Sequence, residues 1–163
     1  MGDDKVQTET DLRLKLATEL DKESDRALVI LAASYLDHLL RRLITAALKL
    51  EGIPRAADRF LFEGLNAGLA SFYSRYEMAR HLGLFNEAEI KDLSRIRKIR
   101  NEFAHDFIGV SFETGRVVDL CNALEIAKID GVPPTARECY KRATIRFMVE
   151  ILRRIQVMSE DRQ

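Results

Sequence analysis

Tryptophan is absent from the 163 residues, and there are only two cysteines, three prolines and eight glycines. So few turn-forming residues exclude an all-β protein built of many tight turns. Cys121 and Cys139 lie 18 positions apart and form no C-x-x-C pair. This excludes a disulfide framework and a thiolate zinc site, and it predicts two reduced, packed thiols. An excess of charge is missing too, since 26 basic and 26 acidic residues cancel. Any nucleic acid or anionic membrane would have to be met by a local patch. The longest uncharged apolar stretch, residues 27–36, is about half of what spans a bilayer. The opening MGDDKVQTETDLRLK is acidic and has no apolar core, which predicts no secretory signal. A cytoplasmic protein without membrane contact is expected.

A hydrophobic content of 47 % can supply the core of one domain, and helix signals dominate its distribution. Leu12, Leu16 and Leu20 recur at i, i+4, i+8 and predict a helix over 8–20. Ser24 or Asp21 can cap a second helix over 25–50, stopped by Gly52 and Pro54. Its first half, ALVILAASYL, is apolar nearly all round and is expected to be the most buried element. A short helix over 55–63 and another over 71–81, closed by Gly83, follow. The clearest start is FNEAEI. Asn86 is its N-cap, Glu89 the reciprocal partner, and Phe85 with Ile90 the hydrophobic staple. That helix runs to about residue 103 on Ile90, Leu93, Ile96, Ile99 and Phe103. FIGVSF could be weakly extended, 116–124 is a short helix, and DGVPP leads into a final helix over 135–158. The prediction is an all-α, single-domain bundle of five to seven helices. It has an acidic N-terminal helical arm at 1–23, a helical domain at 24–158 and a frayed tail at 159–163.

Local charge is less even than the total. Residues 1–25 carry a net −4, residues 91–100 a net +4, and residues 137–154 a net +4. An acidic arm and two basic helices predict an anion-binding surface, an intramolecular pairing, or both. Lys91, Arg95 and Lys98 also read simply as the wet face of an amphipathic helix, supported by a Glu87–Lys91 pair. No aromatic residue interleaves with these bases, so no platform for stacking single strands is visible.

One segment carries chemistry: Arg100-Asn101-Glu102-Phe103-Ala104-His105. Arg100 shares a stripe with Ile96 and Phe103, so its stem is expected to be buried while its guanidinium meets an anion. His105 would lie about 140° round a continuing helix. The two side chains converge only if the helix ends near Phe103–Ala104 or if two chains bring their motifs together. Metal-free RNA cleavage needs a base for the 2′-hydroxyl and a fixed cation for the phosphate, and His105 and Arg100 supply those parts. Asn101 could orient the phosphate or the imidazole. The same residues can also be structural. His105 and Asn101 can satisfy carbonyls at a helix C-terminus, and Arg100 can be a buried tether to Asp37 or Asp106. His38 and His81 read as surface or capping residues. No metal spacing, nucleophile elbow, Walker-type loop or dinucleotide fingerprint is present, so no cofactor or metal is expected.

The stretch SDRALVILAASYLDHLLRRLI resembles the opening of the mannitol operon repressor (MltR-like) family. So does the block LASFYSRYEMARHLGLFNEAEIKDLSRIRKIRNEFAHDF, and with SFETGRVVDLC the likeness spans roughly residues 24–124. It implies an all-α bacterial transcriptional regulator without a DNA-reading helix-turn-helix, and none is visible in this sequence. Action through a protein partner and homodimerisation would follow, and direct sequence-specific DNA binding would not. Arg100-Asn101-x3-His105 also resembles the Arg-x4-His motif of HEPN domains, helical dimers that often cleave RNA and often belong to toxin–antitoxin pairs. That likeness implies Arg100 and His105 as the cleaving pair, Asn101 as the accessory polar residue and RNA as the substrate.

Overall fold

The computed structural model describes residues 2–64, 66–105, 109–128 and 134–160. Seven α-helices and no strand occur among them: α1 (Gly2–Asp21), α2 (Asp25–Ala47), α3 (Arg55–Phe62), α4 (Phe72–His81), α5 (Glu87–His105), α6 (Gly115–Asn122) and α7 (Ala136–Glu160), with a 3-10 turn at Glu125–Ala127 before α7. They form the all-α, single-domain bundle that the periodicity predicts. Of the segment FIGVSF, residues 107 and 108 lie outside the described residues, as do most of DGVPP and residues 161–163 of the tail.

The starts follow local chemistry. The Ser24 hydroxyl accepts the amide of Ala27 and opens α2. At α5 the Asn86 amide donates to the Glu89 carboxylate at 2.8 Å and the Glu89 amide donates to Asn86 Oδ1 at 2.9 Å, the reciprocal box expected there. Phe85 and Ile90 are both buried in the same core. One stop differs from expectation. Helix α2 ends at Ala47 instead of running to 50, because Lys49 takes a left-handed φ of 54°. The Leu50 amide then donates to Thr45 at 2.9 Å and the Lys49 amide to Ala46 at 3.2 Å. These two bonds close a Schellman turn several residues before Gly52.

Helix α2 is the axis of the bundle and packs most extensively on α7, then on α4 and α5. Leu28, Leu36, Leu39, Leu40, Leu43 and Ile44 are fully buried. The helix is not buried all round, however: Leu31 is 51 % and Tyr35 40 % exposed, because no described helix covers that side of α2. Helix α1 lies along α7, with Leu20 buried and Leu12 and Leu16 partly buried against it.

The charges divide in a way the net total conceals. On α7, Lys141 pairs with Asp21 at 2.5 Å and Glu138 at 2.7 Å, and Arg137 pairs with Asp25 at 2.6 Å. Arg153 and Arg154 pair with Glu150, and Arg154 also pairs with Glu89 at 2.7 Å. Five of the six bases of this helix are therefore paired, with Asp21, Asp25, Glu89 and the helix's own glutamates, while Arg146 donates to the Ile126 carbonyl. No described helix is long and apolar enough to cross a membrane.

Candidate functional site

A cleft of about 450 Å³ opens where α2, the first turn of α4 and the last turns of α5 meet. Helix α2 contributes Ser34 and Asp37, the start of α4 contributes Ser71, Phe72 and Tyr73, and α5 contributes Arg97, Arg100 and Asn101. Each wall has a local cause. Ser71 caps α4 by accepting the Ser74 amide at 3.0 Å, and the Ser74 hydroxyl accepts the Ser71 amide in return at 3.1 Å. This fixes the first turn, whose leading amides have no acceptor within the helix. The tail of α5 is held by Phe103, which packs on Phe112 at 5.3 Å between ring centres, with Phe112 on Tyr140 at 5.8 Å. The Tyr140 hydroxyl donates to the Val29 carbonyl at 3.1 Å, and burial pushes its pKa up. Arg26 of α2 donates to the Phe103 carbonyl.

Arg100 shares its helical stripe with Leu93, Ile96 and Phe103, all buried, yet Arg100 itself is exposed. At its level the stripe faces the cleft instead of the core, so the stem is not buried as the spacing predicted. Arg100 is also not the tether to Asp37. That role belongs to Arg75, a buried residue whose guanidinium pairs with Asp37. It also donates to the carbonyls of Leu69 at 2.9 Å and Phe62 at 3.3 Å. Arg75 is likewise a charge on an apolar stripe, between Phe72 and Ala79, so the spacing that marks Arg100 marks it equally. Asp106, the other tether considered, lies outside the described residues.

Arg100 donates to Asn101 Oδ1 at 3.2 Å, and Arg97 lies over the Tyr73 ring at 5.3 Å. Among the described residues neither guanidinium has an acidic partner within ion-pair distance. Lys91 and Lys98 project from the opposite side of α5 and are exposed, as a wet face requires. Glu87 pairs with Arg80 at 3.0 Å, and the expected Glu87–Lys91 pair is not found among the described contacts. Helix α5 runs unbroken through His105, which is exposed and is not among the residues lining the cleft. Within one chain, then, Arg100 and Asn101 share a site and His105 stands apart from it.

The comparisons with protein families, with curated proteins and with solved structures return no match. The geometry of the site therefore carries the functional argument.

Two features of that geometry escaped the linear reading. The aromatic residues beside the bases come from α4, so Tyr73 and Phe72 flank Arg97 and Arg100 although none interleaves with them in sequence. Asp92 is buried on α5 and accepts the amides of Glu125 at 3.2 Å and Ile126 at 2.8 Å, as well as Arg95 at 2.7 Å. It ties the 3-10 turn to α5. His38 stacks on Tyr35 with ring centres 6.4 Å apart, and His81 is exposed in the last turn of α4. No group of three or more metal-ligating side chains gathers among the described residues.

Proposed function

We propose that this chain is a small all-α regulatory protein, of the kind its resemblance to MltR-like transcriptional repressors implies, acting through protein contacts and as a homodimer. The observation that carries the reading is the uncovered apolar strip of α2. Leu31 and Tyr35 project half-exposed from the helix that otherwise forms the axis of the core. Large apolar side chains left open beside a core are a common mark of an interaction surface. The largely paired bases of α7 support the same reading, since guanidiniums already held by carboxylates gain little from DNA phosphates.

Leu31→Arg combined with Tyr35→Glu tests this. Sedimentation should show a dimer for the parent chain and a monomer for the variant, with unchanged helicity. Transcript profiles of a strain lacking the protein should be restored by the parent and not by the variant. A monomeric parent chain, or a strain whose transcripts do not change when the protein is removed, overturns the proposal.

A specific observation favours a second reading, a metal-independent ribonuclease of the HEPN type. Arg100 lines an open cleft and has no acidic partner among the described residues, which leaves it free to bind a phosphate. His105 and Arg100 diverge on one helix, so this reading requires the His105 of a second protomer to complete the pair. RNA incubated with the protein and a chelator should be cleaved by the parent and not by His105→Ala. Equal cleavage by both removes the enzymatic reading.

A further inference from the structure

We infer that the cleft between α2, α4 and α5 is a binding site for a small organic phosphate that carries hydroxyl groups. The inference goes beyond the regulatory reading and rests on it only for what the bound ligand does, not for the binding itself.

Three independent features specify the ligand. The first is its anionic end. Arg97 and Arg100 lie one turn apart on α5, line the same cleft and lack an acidic partner among the described residues. Two guanidiniums that would otherwise repel each other are stabilised by one dianion between them. The start of α4 also lines the cleft through Ser71, Phe72 and Tyr73, and brings the positive end of a helix dipole to it.

The second feature is a hydrogen-bond acceptor in want of a donor. One oxygen of Asp37 is held by Arg75, but Oδ1 is closed off from solvent and has no partner. An unsatisfied buried acceptor costs free energy that a donor from a ligand would recover. The dianion of a phosphate ester has no hydrogen to donate, so the rest of the ligand must carry a hydroxyl or amino group. Asp37 lines the same cleft as the two arginines and its side chain is 32 % exposed, so a turn of the carboxylate presents Oδ1 to a molecule held by them.

The third feature is size. A cavity of about 450 Å³ falls in the range of small-molecule sites, roughly 300–1,000 Å³. A polymer would need a basic track leading away from the cleft. Lys91 and Lys98 are on the far side of α5, five of the six bases of α7 pair with acids and Arg146 is held by the Ile126 carbonyl, so none of these bases extends the cleft into a track.

Isothermal titration of the full chain tests the site with ribose 5-phosphate, adenosine 5′-monophosphate, adenosine, inorganic phosphate and a ten-residue oligoribonucleotide. The two phosphomonoesters should bind at least tenfold tighter than inorganic phosphate or adenosine. Arg97→Ala and Arg100→Ala should each weaken them tenfold or more while helicity and the unfolding midpoint stay near those of the parent. The nucleotide binding fivefold tighter than the sugar phosphate identifies stacking on Tyr73 and a nucleotide source. Equal or weaker binding of the nucleotide identifies a sugar or polyol phosphate. No binding of either ester to the folded chain overturns the proposal, as does binding indifferent to both arginines. Phosphate binding as tightly as its esters, or the oligonucleotide a hundredfold tighter than either, overturns it as well. None of these readouts depends on transcript changes, so the site and the regulatory reading can fail separately.

Discussion

Arg75 and Arg100 are the same residue type on comparable stripes of neighbouring helices, yet they are built for different tasks. Arg75 is buried, holds Asp37 and satisfies carbonyls in the loop before α4. Removing it leaves a carboxylate and several carbonyls without their donor. Arg75→Ala should therefore destabilise the fold by about 3 kcal/mol, near the lower end for breaking a buried pair because Asp37 borders the cleft. Arg100→Ala should change stability by less than about 0.5 kcal/mol, as for an exposed side chain whose one described hydrogen bond, to Asn101, is itself exposed. Urea denaturation of both variants measures the contrast, and equal losses would contradict the division of roles. The cysteines show the same dependence on surroundings. Burial pushes the Cys121 thiol up to about 12, and it also raises Cys139. Neither should react with a disulfide reagent at pH 7.5 in the native protein, whereas both should react after unfolding.

At the scale of the helix, local chemistry predicts starts better than stops. Ser24, Ser71 and Asn86 each cap the helix expected of them, because a side-chain acceptor two or three residues from an orphan amide acts without help from the rest of the chain. The end of α4 is also local. Gly83 has φ 68°, and the Leu84 amide donates to Ala79 at 2.9 Å. The end of α2 is not, since Lys49 takes the left-handed conformation that glycine favours. That geometry costs a non-glycine residue about 1–2 kcal/mol. Lys49→Gly should accordingly raise stability by about 1 kcal/mol, less the greater freedom glycine gives the unfolded chain. Thermal unfolding of the single variant checks the sign, and a lowered midpoint would show that the Lys49 side chain contributes something the backbone does not reveal.

Across the whole molecule, the bundle is closed by ion pairs from α7 to Asp21, Asp25 and Glu89 as well as by its core, and Glu150 steadies from within α7 the arginine that reaches Glu89. Glu150 accepts Arg153 and Arg154, and the Arg153 hydrogen bond leads the effects that hold its carboxyl below the usual range. Its folded pKa is lower than its unfolded one, so its contribution is complete above about pH 4.5 and is lost as pH falls through the folded value. Glu150→Gln should cost about 1 kcal/mol at pH 7 and progressively less toward pH 3. Denaturant midpoints measured across that interval test it, and a loss that grows on acidification would refute the assigned sign.

Periodicity and capping were enough to place α2 to α7 within a few residues, because amphipathic spacing and N-caps are interactions between neighbours in the chain, whereas α1 starts at Gly2, six residues ahead of the apolar spacing that predicted it. They also brought Arg100 and Asn101 forward as a pair, since adjacent residues on a helix stay close however it packs. The cleft itself was not legible. Tyr73, Ser71, Ser34 and Asp37 reach the arginines from two other helices, and their sequence positions hold no trace of that meeting. The resemblance of RNEFAH to a cleaving motif likewise could not say which way His105 points. That direction follows from α5 remaining helical to its last residue, which depends on Phe103 packing against Phe112, on Arg26 holding the Phe103 carbonyl, and on Tyr140 behind them. Short-range forces wrote the helices into the chain, whereas packing between helices decided which charges were neutralised and which were left facing an open cleft.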